Sequence, residues 1–168
     1  GKVRAITGNV ISYNDKKVDL FLRNDPRENN VPIEGEIKFP EGKTVYIGID
    51  GEGIPQCKYS IIGLATLSSF LSQNGMGVKA GSIDEKEADA NNLDYVSCDK
   101  YPFNSVILIQ EGAFTKITKT KENCYLIEVD NCETLPVIEK FIVKALIDAK
   151  ESAMQSGLYQ KVLVFTAP

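Results

Sequence analysis

Histidine and tryptophan are absent from this 168-residue chain, and its four cysteines never form a Cys-x-x-Cys pair. Without histidine, Ser-His-Asp and Cys-His mechanisms are excluded, and the commonest general base near neutral pH is missing. Four scattered cysteines without histidine also argue against a structural zinc site. Any catalysis must therefore use carboxylates, lysine, tyrosine, cysteine or a metal-bound water.

Long apolar runs are missing as well. No stretch approaches the roughly 20 apolar residues that a membrane-spanning helix needs, and the N-terminal segment GKVRAITG lacks the apolar centre of a signal peptide. We therefore expect no membrane association and a cytoplasmic location. In a reducing cytoplasm the cysteines are expected to be free, buried or half-buried thiols.

A large positive charge is also lacking, since 19 basic and 23 acidic side chains give a net charge of -4. This balance disfavours nonspecific nucleic-acid binding, which relies on a positive surface. The chain is 43% hydrophobic, which is ordinary for a globular protein. We expect a single α/β domain over residues 1–168, with a β-rich part at 1–42 and an α/β core at 43–168.

The most informative segment spans residues 43–75. A short β-branched run at 44–49 predicts a strand buried on both faces. A glycine-rich acidic loop follows, and apolar residues then recur at helical spacing, which predicts a helix over about Ser60–Gln73. Ser60 is a suitable N-cap, and Asn74-Gly75 supplies the stop. The alternative is that residues 59–65 begin a second strand.

The remaining patterns predict a mixed sheet in an α/β fold with two main helices. Residues 3–13 and 17–23 read as a β-hairpin. Strand, helix and strand patterns predict βαβ units at 44–81 and 124–166, with a second helix over 134–156. Three runs at 105–110, 114–120 and 125–129 with short turns predict a central antiparallel meander.

Acidic residues follow several of the predicted strands. Asp50-Gly51-Glu52-Gly53 follows the strand at 44–49, Glu111 follows the next apolar strand, and Asp130 follows the last strand before the second helix. In open α/β sheets, ligands bind beyond the carboxyl ends of the strands. If these ends meet, their carboxylates are expected to bind Mg²⁺ or Mn²⁺, which prefer oxygen ligands.

The sequence therefore predicts a site around the 50–58 loop. Asp50 and Glu52 are the predicted metal ligands, because an extended backbone points both side chains the same way. Glu111 and Asp130 are predicted as further ligands or a base. Three residues are predicted to contact phosphate, two through open backbone and one through its charge: Gly51, Gly53 and Lys58.

This chemistry suits metal-assisted phosphoryl transfer or phosphodiester hydrolysis on a phosphorylated small molecule or nucleotide. The loop matches neither GxGxxG nor GxxxxGK[ST], so neither of those nucleotide motifs is present. Asp, Glu and Gly also form ordinary strand-ending turns. The alternatives are a small-molecule-binding regulatory domain and a non-catalytic assembly domain, which pairs exposed strand edges and forms a homo-oligomer.

Overall fold

The structure is a computed structural model that describes residues 6–11, 17–40, 42–155 and 164–166. The described elements form two sheets and three α-helices. Their bounds, in chain order, are β1 Ile6–Ile11, β2 Lys17–Leu22, β3 Ile33–Glu34, β4 Val45–Ile49, α1 Ser60–Gln73, β5 Val78–Ser82, α2 Glu85–Ala90, β6 Val106–Glu111, β7 Lys116–Lys121, β8 Cys124–Val129, α3 Thr134–Gln155 and β9 Val164–Thr166.

The larger sheet has six strands in the order β3-β7-β8-β6-β4-β5. Four adjacent strands, β8, β6, β4 and β5, are parallel, while β7 runs antiparallel to β8. The sheet is therefore mixed, and the predicted α/β class with two main helices is confirmed. The βαβ unit predicted at 44–81 is also confirmed, since β4 and β5 are parallel and α1 connects them.

The strands β4, β6 and β8 bury side chains on both faces, as the apolar run at 44–49 predicts for β4. Val45 and Ile47 of β4 enter the main core, while Tyr46 packs on the opposite face. β6 and β8 alternate in the same way. Gly48 leaves space for neighbouring side chains on that second face, because a Cβ there would lie only 3.0 Å from Leu108.

Helices α1 and α3 pack against each other and cover the main core. Gly63 brings the two helices close together, since a Cβ at this position would lie 3.4 Å from Leu135 Cα. The predicted bounds of α1 are confirmed, but its N-cap residue is Tyr59 in a left-handed conformation, not Ser60. The buried Ser60 hydroxyl instead hydrogen-bonds Thr134 Oγ1 at the start of α3, at 2.9 Å.

The predicted antiparallel meander is confirmed for β7 and β8, which pair antiparallel, and is wrong for β6. β6 and β7 are not neighbours, because β8 lies between them and pairs parallel with β6. Burial explains the difference. β6 is mostly buried and occupies the interior of the sheet, whereas β7 carries exposed lysines and lies towards the edge.

The βαβ unit predicted at 124–166 is also wrong. After α3, β9 joins β1 in antiparallel pairing within the smaller sheet, whose order is β2-β1-β9. The N-terminal pairing of β1 with β2 is confirmed, while the turn predicted between them lies outside the described residues. The predicted boundary at residue 42 does not follow the sheets, because both ends of the chain build the smaller one.

The cysteines are not free thiols, which corrects the sequence prediction. Cys57 is bonded to Cys132, and Cys98 is bonded to Cys124. The partners are 75 and 26 residues apart in the sequence, so no local sequence motif predicts either pairing. Within the described part of the chain, no helix is both long enough and apolar enough to span a membrane.

A buried carboxylate links α3 to the end of β2. Glu139 is only 2% exposed and accepts hydrogen bonds from the backbone N–H groups of Arg23 and Asn24, and from Asn24 Nδ2 at 2.8 Å. Burial raises the pKa of Glu139, and the hydrogen bonds from Asn24 and Arg23 oppose that shift.

We expect Glu139→Ala to lower the free energy of unfolding by about 1–3 kcal/mol, because it leaves partly buried donors unpaired. Folding raises the pKa of Glu139, so its contribution to stability is full below the ordinary value of 4.5 and is lost as pH rises through the folded value. Glu139→Gln should keep most of the hydrogen bonds and abolish this pH dependence. Urea unfolding across this pH range measures both effects; an Ala variant as stable as wild type would contradict the assignment.

Candidate functional site

The order of the parallel strands reverses at β4, and the space beyond the carboxyl ends of β4 and β6 is called the β4–β6 crevice below. The chain leaves β4 for β5 on one side and later returns to β6 on the other side of β4. Such a reversal is the topological switch point at which open α/β sheets bind ligands. The loop 50–59 leaves β4 at this point, and Glu111 ends β6 beside it.

Asp50 and Glu52 do not have the parallel orientation that an extended backbone predicts. Residues 51–53 form a turn, and the Asp50 carboxylate accepts a hydrogen bond from the Glu52 N–H at 3.1 Å. Asp50 is half-buried and Glu52 is exposed. The carboxylate of Asp50 thus shapes the turn, as aspartate often does after a strand.

Glu111 does meet the predicted loop. Its carboxyl group lies directly against Gly53, so that a Cβ on Gly53 would overlap it. The glycine therefore makes room for a carboxylate from the neighbouring strand. Two acidic strand ends that the sequence placed at the same edge are in fact adjacent here.

Glu87 is a second carboxylate at this loop, and sequence reasoning missed it. It lies on α2 and packs against Gly51, while its Oε2 accepts a hydrogen bond from Ser82 Oγ at 3.1 Å. The segment around Glu87 is rich in charged residues, a composition that is typical of a solvent-exposed turn. It forms α2, capped by Asp84, and the Glu87 carboxylate is the one that turns inward.

The two glycines therefore face carboxylates in this structure. Their predicted role as open backbone for a phosphate stays a prediction, because Glu87 and Glu111 would have to move for a phosphate to touch them. Lys58 is exposed, with its Nζ 5.0 Å from the centre of the Tyr59 ring. It is the only basic residue between 50 and 59.

A preformed metal centre is not seen at this loop. Among the residues that the structure describes, no three His, Cys, Asp or Glu side chains are grouped so that they could hold a metal ion. The carboxylates at the loop instead have separate partners. Asp50 accepts a hydrogen bond from a backbone N–H, Glu87 accepts one from Ser82, and Glu111 packs against Gly53.

Asp130 lies in a different place, in a surface cleft of about 650 Å³. Some of the residues in 24–32, 114–115 and 130–136 line the cleft, and the 50–58 loop does not. Thr115 Oγ1 holds the backbone of Asp130 by accepting from its N–H at 2.9 Å and donating to its carbonyl at 3.2 Å. The predicted four-carboxylate cluster is therefore divided between the β4–β6 crevice and this cleft.

The cleft is acidic and carries an exposed aromatic ring. Its lining includes four carboxylate residues, three asparagines and Phe114, whose surface is 73% exposed. Hydrogen bonds from the Arg27 side chain lower the pKa of one of these carboxyl groups, Asp25. The carboxylate residues are Asp25, Glu28, Asp130 and Glu133.

We expect Gly53→Ala to leave stability within about 1 kcal/mol of wild type and to displace Glu111. The backbone at Gly53 is right-handed (φ -89°, ψ -48°), and the overlapping group is the end of a flexible, exposed side chain. Gly42→Ala is the matched control, because φ is +69° with nothing within 4 Å, so its cost of about 1–2 kcal/mol is purely conformational. Thermal unfolding compares them; a larger loss at Gly53 would show that the loop itself requires glycine.

Comparison with known proteins assigns nothing to these residues. No protein-family model, no curated protein and no solved structure matches the chain. The interpretation of the crevice and the cleft therefore depends on their geometry and charge.

Proposed function

We propose that this chain binds a phosphorylated small molecule or nucleotide as its Mg²⁺ or Mn²⁺ complex in the β4–β6 crevice, where it supports phosphoryl transfer or phosphodiester hydrolysis. The observation that carries the proposal is the contact of Glu111 with Gly53. It brings a carboxylate from β6 onto the acidic loop after β4, at the switch point of the sheet.

Electrostatics supports a ligand that arrives with its own cation. The crevice collects Asp50, Glu52, Glu87 and Glu111 around a loop whose basic residue is Lys58. A bare phosphate would be repelled by these carboxylates, whereas a divalent ion would be attracted. Mg²⁺ is usually held by one or two carboxylates together with substrate phosphates. The carboxylates therefore fit a shared ion, although they form no three-residue cage.

Each residue then has a role set by its position. Asp50 and Glu52 would hold the ion jointly with the phosphate oxygens, and Lys58 would contact the phosphate from the start of α1. Glu111, on the rigid end of β6, is placed to accept a proton from an attacking water or hydroxyl. When bound, the divalent ion would supply charge neutralisation for the phosphoryl group.

The disulfides indicate the redox environment of the compartment in which the protein functions. Free thiols were expected because a reducing cytoplasm was predicted, but all four cysteines are paired. Disulfides persist in oxidising compartments and are rare in reducing ones. We therefore propose an oxidising environment for this chain.

A second candidate function is the non-catalytic binding of an organic cation in the cleft beside Asp130. Its volume of about 650 Å³ is within the range of small-molecule sites. The lining includes four carboxylates, of which Asp25 is paired with the neighbouring Arg27, and Phe114 offers a ring face for a cation–π contact. This geometry favours the regulatory-domain alternative, with an amine as the ligand.

We expect Mn²⁺ titration by calorimetry to give a saturable heat, and ADP to bind only when Mg²⁺ or Mn²⁺ is present. Asp50→Asn and Glu111→Gln should each weaken binding by about tenfold or more. Glu151→Gln is the control, because this exposed glutamate lies near the far end of α3. Binding of ADP without a divalent ion, or heats that no substitution alters, would contradict the proposal.

We expect spermidine to bind the cleft with an affinity that falls as salt rises, since exposed charges are screened. Glu133→Gln and Phe114→Ala should each reduce the affinity by about fivefold, from lost charge and cation–π attraction. Phe103→Ala is the control, because Phe103 is equally exposed but precedes β6 at the opposite edge of the sheet. Equal affinity for all three variants would exclude the cleft as the binding site.

A further inference from the structure

The Cys57–Cys132 disulfide crosses the carboxyl edge of the parallel strands. Cys57 lies in the loop after β4, and Cys132 lies in the turn between β8 and α3. These strands are not neighbours, because β6 lies between them. The bond therefore joins two loops that flank the strand end carrying Glu111.

Left-handed backbone is concentrated at this bond. Five non-glycine residues have positive φ in the described part of the chain, and three are asparagines, which tolerate this conformation. The remaining two are Tyr59 (φ 70°) and Cys132 (φ 59°). Both lie at the disulfide, so the covalent link coincides with the least favourable backbone among these residues.

Two other contacts hold the same loop on either side of Cys57. Ile54 is 0% exposed and packs in the main core, next to Gly53 and its contact with Glu111. Ser60 is tied to Thr134 by a buried hydrogen bond. Between these anchors the disulfide is a covalent restraint on residues 55–59, which include Lys58.

The second disulfide differs in access. Each bond has one buried cysteine, since Cys57 is 9% exposed and Cys124 is 2% exposed. The partner of Cys57, Cys132, is exposed, whereas the partner of Cys124, Cys98, is half-buried. Thiol–disulfide exchange requires that a thiolate reach a sulfur atom, so a reductant meets the Cys57–Cys132 bond first.

We propose that the Cys57–Cys132 disulfide is a redox latch that sets the position of Lys58. A dithiol reductant attacks Cys132 Sγ to form a mixed disulfide and expels the Cys57 thiolate, which takes up a proton. The second thiol of the reductant then displaces the Cys132 thiolate. Two cysteine thiols and one cyclic disulfide result, with two electrons and two protons transferred to the protein.

The expected consequence is confined to residues 55–59 and to Cys132 at the other end of the bond. Tyr59 and Cys132 relax from left-handed backbone, and Lys58 loses its fixed position, while Asp50, Gly53 and Glu111 stay in place. The expected effect on binding rests on the proposed function. Reduction of the Cys57–Cys132 bond should weaken binding of the phosphorylated ligand and leave binding of the metal ion alone unchanged.

The test combines graded dithiothreitol, differential alkylation read by mass spectrometry, hydrogen exchange and calorimetry on the full chain. Cys57 and Cys132 should be alkylated before Cys98 and Cys124. In the Cys57→Ser/Cys132→Ser variant, exchange of amides 56–60 should rise by about tenfold. Its affinity for Mn²⁺–ADP should fall by about fivefold, because Lys58 must then be ordered on binding, with Mn²⁺ affinity unchanged.

Cys98→Ser/Cys124→Ser is the matched control and should show neither change. If the serine pair at 57 and 132 fails to fold, wild type alkylated at low dithiothreitol gives the same comparison. Unchanged exchange at 56–60, or simultaneous reduction of both bonds, would overturn the latch. Faster exchange with no ligand binding in either redox state would retain the latch and reject the proposed function.

Discussion

The parallel pairing of β4, β6 and β8 is the constraint on which the rest of the structure depends. In this register Ile49 lies beside Ile109, and Glu111 lies beside Val129, so the three strands end at one edge. Parallel strands cannot be joined by tight turns, and their connections must cross a face of the sheet. The crossover from β4 to its other parallel neighbour, β5, therefore carries α1 over the main core. The shared direction of the strands gathers their acidic ends at the carboxyl edge of the sheet.

Much of the local structure was predictable because it is recorded in local patterns. The helix at 60–73 and the long helix from Thr134 follow from apolar residues at helical spacing and from their stop signals. The pairing of the strands was harder to predict. Sequence order suggested that β6 pairs with β7, but burial determines which strands are neighbours. The apolar strand β6 removes most apolar surface from water when it lies between two parallel neighbours in the interior of the sheet. The strand β7 carries lysines and gains less from such burial, so it lies nearer the edge.

The candidate site was predictable to the same extent. Parallel strands end at the same edge of a sheet, so acidic residues that follow them are expected to lie together. Asp50 and Glu111 do lie at one edge. The position of each carboxylate on that edge depends on contacts between distant segments. Glu87 turns inward because Gly51 leaves space for it and Ser82 offers a hydroxyl, which a charged run in the sequence does not reveal. Asp130 faces the 24–32 segment because Thr115 holds its backbone.

The acidic edge carries an electrostatic cost that the fold offsets elsewhere. Carboxylates on Asp50, Glu87 and Glu111 repel one another, and this repulsion favours a loop that swings away from the sheet. Burial of Ile54 and the Cys57–Cys132 bond oppose that movement, one by removing apolar surface from water and the other by a covalent link. Neutralising the carboxylates with a cation would relieve the same repulsion. The loop that bears Asp50 and Glu52 is thus also the one that the disulfide restrains.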